Sequence, residues 1–368
     1  MAMVSPVPGT TADPVRRPLE LLGVGPVVLV DTAGLDEKGE LGAHRAESSW
    51  RELLGVDLVL LLFRHGEFGE VEQRVDEVCE KHGIAIVHVL THCDLLSEDI
   101  LNKHTNRSDA YADVLFSAND ECAVQRLKEV ISARLLPMLG REDNVLPDVV
   151  SVGDTVLLVA PIDKSAPVGR LILPQVQTLR SVLDLHASAL VCQPDELPTA
   201  LSRLRVAPRL VITDSQAFAY VAKQLPSSVP LTSFSIVMAR KKGMFHRFVQ
   251  GTRRLMSLND ADRVLILESC THTVGCGDIG RELLPRAISS ATGRKLRFDI
   301  VAGDSPLPSS ASDYALAVQC GGCMASASQL RGRLLPLIEA GVPVSNYGMA
   351  LAWCNGIFEQ SISPFMNE

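Results

Sequence analysis

Asp262-Arg-Val-Leu-Ile-Leu-Glu268 runs straight into Ser-Cys270-Thr-His272, and Asp313-Tyr-Ala-Leu-Ala-Val318 runs into Gln319-Cys320-Gly-Gly-Cys323. Each begins as a short apolar stretch, the pattern of a strand buried on both faces. Such strands belong to parallel sheets, whose crossovers are usually helices. Both cysteine groups therefore lie just past strand ends. That edge of an open α/β sheet collects ligands, because loops and helix N-termini meet there. Cys320 and Cys323 are three apart, so a helix beginning there would set both sulfurs on one face of its first turn, as a single metal centre requires.

Three thiols and an imidazole are thus brought toward one edge. Zinc accepts Cys and His in a closed tetrahedron and would use Cys270, His272, Cys320 and Cys323 together. An iron-sulfur cluster takes thiolates first and can leave one iron for another ligand. Spacing alone leaves both open. Cys276 stands outside the pattern, and Cys192 and Cys354 fall at core positions of a strand and a helix.

Outward from this region the alternation of strand and helix continues, and the chain reads as three α/β domains with mainly parallel sheets, over residues 1–141, 142–239 and 240–368. Arg141 to Asp148, charged and carrying Pro147, marks the first linker. The second domain supplies strands at Asp154–Ala160, Ala189–Cys192, Arg209–Thr213 and Leu231–Met238. Asp163, Lys164 and Asp214 show no paired spacing of nucleophile and base, so no catalytic residue is assigned. Arg240, Lys241, Lys242, Arg247, Arg253 and Arg254 read as a solvated basic face.

In 368 residues, 46% are apolar and 21% charged, the composition of a soluble globular chain. The net charge of −8 speaks against nucleic acid as a partner. The N-terminus lacks the regions of a signal peptide, and the apolar run Leu58–Phe63 is far too short for a bilayer, so a cytoplasmic, membrane-free protein is expected. Nine cysteines, an odd number, suit a reducing compartment with a metal site better than a disulfide framework.

The first domain carries nucleotide signals. Gly9-Thr10-Thr11 precedes the strand Pro26–Val30, which leads into Asp31-Thr-Ala-Gly34. An Asp at a strand end can reach Mg²⁺ through water, and the glycine lets its backbone amide approach a γ-phosphate. After the strand Ile84–Leu90, Thr91-His92-Cys93-Asp94 occupies the place of a guanine-reading loop, where only Asp94 fits. Phe116-Ser117-Ala118 matches the last guanine-contacting loop. His92 and Cys93, with no other ligands near in sequence, are not read as a metal site. Glu70 to His82, with Val71, Val75 and Val78 on one face, is predicted as a helix ended by Gly83. A P-loop, Gly-x-x-x-x-Gly-Lys-Ser/Thr, would stand before Gly9, and the residues there do not form one. The domain is therefore read as incomplete, with weak GTP binding expected of the chain as given.

Taken together, these segments resemble HydF, the GTPase family that matures iron-only hydrogenases. The resemblance is carried by Asp31 to Gly42, Ile172 to Thr178, Glu268 to His272, Gly277 to Arg281, Gln319 to Met324 and Gly341 to Gly348. It implies a GTPase domain, a dimerisation domain and a cluster domain. It also implies a four-iron, four-sulfur cluster on Cys270, Cys320 and Cys323, with His272 the matching candidate at the exchangeable iron. Where that family carries a second histidine this chain has Gln319, a poor iron ligand. The implied role is that of a scaffold that receives a two-iron subcluster precursor and hands it to the hydrogenase apoprotein. Its implied partners are two radical-SAM maturases, the hydrogenase and a second copy of the chain. GTP and Mg²⁺ would bind at Thr10, Thr11, Asp31, Gly34, Asp94, Ser117 and Ala118. The rival reading is a zinc-stabilised, G-protein-like module that only binds partners.

Overall fold

A computed structural model of the chain describes residues 14–35, 40–105, 112–139, 146, 148–162, 169, 171–269, 278–303, 305–308, 310–323 and 325–366. The chain divides into two compact units, residues 1–141 and 142–368.

The first unit opens with β1 (Val15–Leu21) and β2 (Gly25–Asp31), an antiparallel hairpin with Val15 opposite Asp31. Gly23 and Gly25 in its tight connection both sit at positive φ, which a Cβ disfavours. β1 carries Arg16, Arg17 and Pro18 in place of an apolar run and leaves no strand signature in the sequence. After α1 (Glu40–Leu53), a parallel sheet is built from β3 (Leu58–Phe63), β4 (Ala85–Leu90) and β5 (Val114–Leu115), in that order. α2 (Glu70–His82) crosses between the first two strands and α3 (Glu98–Thr105) lies between the next two, with α4 (Glu121–Leu139) after the last. α2 covers the predicted residues, and Gly83 ends it in the left-handed region at φ 65. Alternate strand residues serve opposite faces: Leu61 packs with Leu53, Val75 and Cys79, while Val87, Val89 and Val114 pack with Leu127 and Val130 of α4. β3 is at the sheet's edge among the described residues, and its Leu62 is 60% exposed.

Among the described residues, the second unit contains two four-stranded parallel sheets with the same strand order. In the first, β6 (Thr155–Val159) is followed by α5 (Leu173–Asp184), β7 (Ser188–Cys192), α6 (Leu197–Ser202), β8 (Leu210–Thr213), α7 (Phe218–Ala222) and β9 (Leu231–Ser233). Its order is β7-β6-β8-β9. Then come α8 (Phe234–Lys241) and α9 (Phe245–Arg253). The second sheet is made of β10 (Arg263–Leu267), α10 (Leu284–Thr292), β11 (Arg297–Val301), β12 (Tyr314–Gln319), α11 (Ala327–Glu339) and β13 (Val344–Asn346), in the order β11-β10-β12-β13. α12 (Tyr347–Cys354) and α13 (Phe358–Ile362) close the chain.

The sequence predicts a strand over Leu231–Met238, but β9 stops at Ser233. There the Ser233 hydroxyl accepts from the Ile236 amide, and such a side-chain cap starts a helix. The apolar run that follows is buried as a face of α8 instead. Asn346 does the same at the end of β13, its Oδ1 accepting from Met349 N at 2.8 Å. One hydrophobic cluster runs through both sheets, joining Val156, Leu158 and Ile212 to Phe234, Val237, Phe245 and Phe248 and to Leu265, Ala317 and Val344. α9 lies directly on the β13 backbone, where a Cβ added at Gly251 would stand 1.8 Å from the Val344 carbonyl oxygen.

Candidate functional site

In the second sheet of the second unit, the chain leaves β10 for the β11 edge and leaves β12 for the β13 edge. The crevice beyond the C-terminal ends of β10 and β12 is therefore the point where strand order reverses, the usual ligand position of an open α/β sheet. Cys320 directly follows β12 and Ser269 lies two residues beyond β10, and the two meet: Ser269 N donates to Cys320 Sγ at 3.0 Å. Gln319, the last residue of β12, is completely buried. Its Nε2 donates to Ser269 Oγ at 2.8 Å, to the Cys320 carbonyl at 3.2 Å and to Cys320 Sγ at 3.3 Å. Cys320 is half-buried and Cys323 exposed. Cys270, His272 and Cys276 lie outside the described residues, as do Thr10 and Thr11.

Cys320 to Cys323 is a turn and not the first turn of a helix. Gly322 sits at φ 54, and α11 begins only at Ala327. Ser326 sets that start with a reciprocal cap: its Oγ accepts from Gln329 N at 3.1 Å, and its own N donates to Gln329 Oε1 at 2.8 Å. The helical placement of the two sulfurs expected from their spacing is thus replaced by a glycine-bent loop.

Of the basic residues read as a solvated face, Arg247 and Arg253 are exposed, but Arg240 and Lys242 are not. Arg240 pairs with Asp148 at 2.7 Å and stacks over the Phe365 ring. Lys242 is only 7% exposed and donates from Nζ to the carbonyls of Gly321 (3.2 Å) and Gly322, placing a buried cation under the cysteine turn. A lysine stem can bury along apolar surface while its head reaches polar groups, which charge patterning alone does not reveal. Across the crevice Glu268, 2% exposed, receives a two-pronged contact from Arg281, at 2.9 and 3.2 Å. Asp278 accepts from the amides of Gly280 and Arg281. The Tyr347 hydroxyl is buried without a hydrogen-bond partner among the described residues. Burial first, and then the neighbouring Cys320, push its phenol well up, so it stays a protonated donor. The chemistry of this donor set fits a thiolate-bound metal group: N–H donors already face one sulfur, a cation underlies the turn, and the second sulfur is open to solvent. Among the described residues no group of three or more His, Cys, Asp or Glu is arranged to hold a metal ion.

Of the other described cysteines, Cys79 is buried, Cys93, Cys192 and Cys354 are half-buried, and Cys122 is exposed on α4. Burial pushes the Cys79 and Cys192 thiols up to about 11 and that of Cys354 up to about 12, which leaves them poor nucleophiles and poor ligands. Cys93 donates to the Leu90 carbonyl at 3.1 Å.

In the first unit β4 and β5 are parallel neighbours, so the loops after them adjoin. Cys93 N donates to the Phe116 carbonyl at 3.3 Å, tying the two loops together. Asp94 is held below the usual carboxylate range, first by a hydrogen bond from Ser117 and also by Asn119, whose Nδ2 lies 3.2 Å from Asp94 Oδ2. Ala118 follows, exposed. Asn119, which also donates from its backbone to Ser117 Oγ at 3.2 Å, is a member of this cluster that Ser-Ala alone does not announce. Asp31 ends β2 and Gly34 lies exposed beyond it, with the intervening Ala33 carbonyl accepting from Ser49 Oγ at 2.9 Å.

Family comparison joins these observations. Residues 145–243 match the Hydrogen maturase F dimerization domain and residues 246–364 the Hydrogen maturase F tetramerization domain. The chain belongs to the HydF family. Both cysteines of the turn lie in the HydF tetramerization domain, and the two domains make this a chain built for self-association. Residues 1–92 match a GTPase family described as 50S ribosome-binding GTPase, so the HydF domains follow a GTPase-type segment, a class that binds GTP with Mg²⁺. Similar curated proteins are tRNA modification GTPases MnmE, 32% identical over 130 residues in Acidovorax sp. (strain JS42) and 36% over 149 residues in Nitrosomonas europaea. GTPase Der of Kosmotoga olearia is 31% identical over 103 residues. These matches cover 32%, 39% and 26% of this chain, and the chain spans only 26%, 31% and 23% of those proteins. No helix among the described residues is long and apolar enough to cross a membrane.

Proposed function

We propose that this chain is a hydrogenase-maturation scaffold that holds a four-iron, four-sulfur cluster at the β10/β12 crevice. Cys270, Cys320 and Cys323 would hold it, and His272 would stand at the exchangeable iron. The observation that carries this reading is the Cys320–Cys323 turn at the switch point, inside a HydF domain, with N–H donors aimed at the Cys320 sulfur. Such a cluster supplies an iron with an exchangeable coordination position. The chain's own residues then do the rest: Lys242 and the amides of Ser269 and Gln319 offset the negative charge of the sulfurs, and the exposed Cys323 side leaves an approach open. The two-iron subcluster precursor is the substrate, received from radical-SAM maturases and passed to the iron-only hydrogenase apoprotein. In the first unit, Asp94, Ser117 and Ala118 would read guanine, and Thr10, Thr11, Asp31 and Gly34 would face the phosphates and Mg²⁺. Nucleotide turnover there biases release or partner exchange and does no chemistry on the cluster. A dimer in the cytoplasm is the form proposed to act.

Iron, sulfide and zinc analysis of the anaerobically purified full chain tests this. Brown protein with about four iron and four sulfide per chain is the result expected of such a cluster. Stoichiometric zinc without iron would overturn it in favour of a closed, zinc-stabilised partner-binding module.

A further inference from the structure

Gln319 does more than occupy a position vacated by a ligand. A fully buried primary amide costs free energy unless its groups are bonded, and an aliphatic side chain would fill the end of β12 without that cost. All of its contacts among the described residues come from Nε2, to Ser269 Oγ, the Cys320 carbonyl and Cys320 Sγ, while Oε1 is buried with no partner there. A carbonyl oxygen only accepts, so the Cys320 carbonyl fixes which way round the amide lies. Ser269 contributes twice: its hydroxyl oxygen accepts from the amide, and its backbone N–H donates to Cys320 Sγ. The neighbouring turn leaves little slack: a Cβ at Gly322 would sit 3.2 Å from Ser269 Oγ and 3.4 Å from Lys242 Nζ. Two N–H groups therefore converge on Cys320 Sγ from a rigid floor, whereas Cys323 is exposed.

We infer that Gln319 is a positioning residue for Cys320 that, with Ser269, withdraws charge from its sulfur and raises the reduction potential of the group bound there. This rests on the reading that Cys320 is a cluster ligand. N–H donors to a ligating sulfur stabilise the more negative, reduced form, and charge-assisted hydrogen bonds are the stronger kind. Removing the side-chain donor lowers the potential while leaving three thiols in place.

The full-length chain and its Gln319→Met and Gln319→Glu variants are reconstituted anaerobically with iron and sulfide. Iron per chain and the midpoint potential, from a redox titration followed by electron paramagnetic resonance, are then read. Met keeps the length and burial without a donor, and Glu, read at a pH high enough to ionise it, only accepts and adds negative charge beside the sulfur. Both variants are expected to hold wild-type iron with a lower midpoint potential, Glu at least as low as Met. If Met fails to hold iron, Glu decides. Unchanged or raised potentials at wild-type iron overturn this inference and leave the proposed function standing. Loss of iron from both variants also overturns it, by making Gln319 a requirement for assembly and not a tuner. A wild-type chain without iron overturns the proposed function and this inference with it.

Discussion

Cys320 and His272 carry different duties in the proposed site, and single replacements separate them. Replacing Cys270, Cys320 or Cys323 with Ala removes a thiolate that no neighbour replaces, so iron content should fall to background. His272→Ala should retain iron while changing the resonance spectrum and speeding exchange of added small ligands. Equal iron loss in His272→Ala and Cys320→Ala would point to a closed four-ligand site instead. Asp94 is the comparable residue of the first unit. Its carboxylate is held low, so the charged form is present above the ordinary aspartate range, and its contribution is lost only as pH falls through the depressed folded value. Guanine recognition through Asp94 should therefore persist at pH 5. Asp94→Asn should weaken GTP by about 10–100-fold, the order expected for loss of one charge-assisted hydrogen-bond pair. Titration with a fluorescent GTP analogue at pH 5 and pH 7.5 reads both, and an unchanged affinity in the variant would remove Asp94 from the guanine site.

Elements were legible where one physical signal dominated. α2 announces itself by Val71, Val75 and Val78 with Gly83 behind them, and β10 and β12 by buried apolar runs that end where the cysteine groups begin. Misplaced boundaries trace to caps: Ser233 turns an apolar run from strand to helix, and Ser326 delays α11 so that Cys320 and Cys323 fall on a turn. β1 was invisible because two arginines and a proline replace the apolar alternation. Lys242 and Gln319 were unreadable for a different reason, since their partners, the Gly321 and Gly322 carbonyls and Ser269, come from strands and loops distant in sequence. Close approach between elements is equally silent, and α9 on β13 provides its test. Gly251→Ala drives a Cβ into the Val344 backbone, which cannot swing away as a side chain would. Overpacking against backbone should cost about 3 kcal/mol, at the upper end of the usual range. Thermal unfolding of the purified chain checks it, and a melting temperature within a degree of wild type would mean that α9 can shift on the sheet.

At the scale of the molecule, the seam near residues 239 and 240 is proposed as a boundary of sequence domains but not of folding. α8, which runs across the seam, and α9, after it, contribute Phe234, Val237, Phe245 and Phe248 to one cluster that also holds Ile212 of the first sheet and Leu265 and Ala317 of the second. A fragment of residues 240–368 would uncover the side chains that α8 and the first sheet bury. Each large apolar side chain returned to water costs roughly 1.5–3 kcal/mol, so uncovering several of them takes away a large share of a typical domain's stability. Such a fragment should therefore bind hydrophobic dye, lack a cooperative melting transition and hold little iron. Residues 142–368 keep the cluster whole, and that fragment should melt in one transition and hold as much iron per chain as the full-length protein. Circular dichroism, dye fluorescence and iron analysis on the two fragments decide the matter. A cooperative, iron-loaded 240–368 fragment would show that the second sheet folds alone and that the shared cluster is only a dispensable contact.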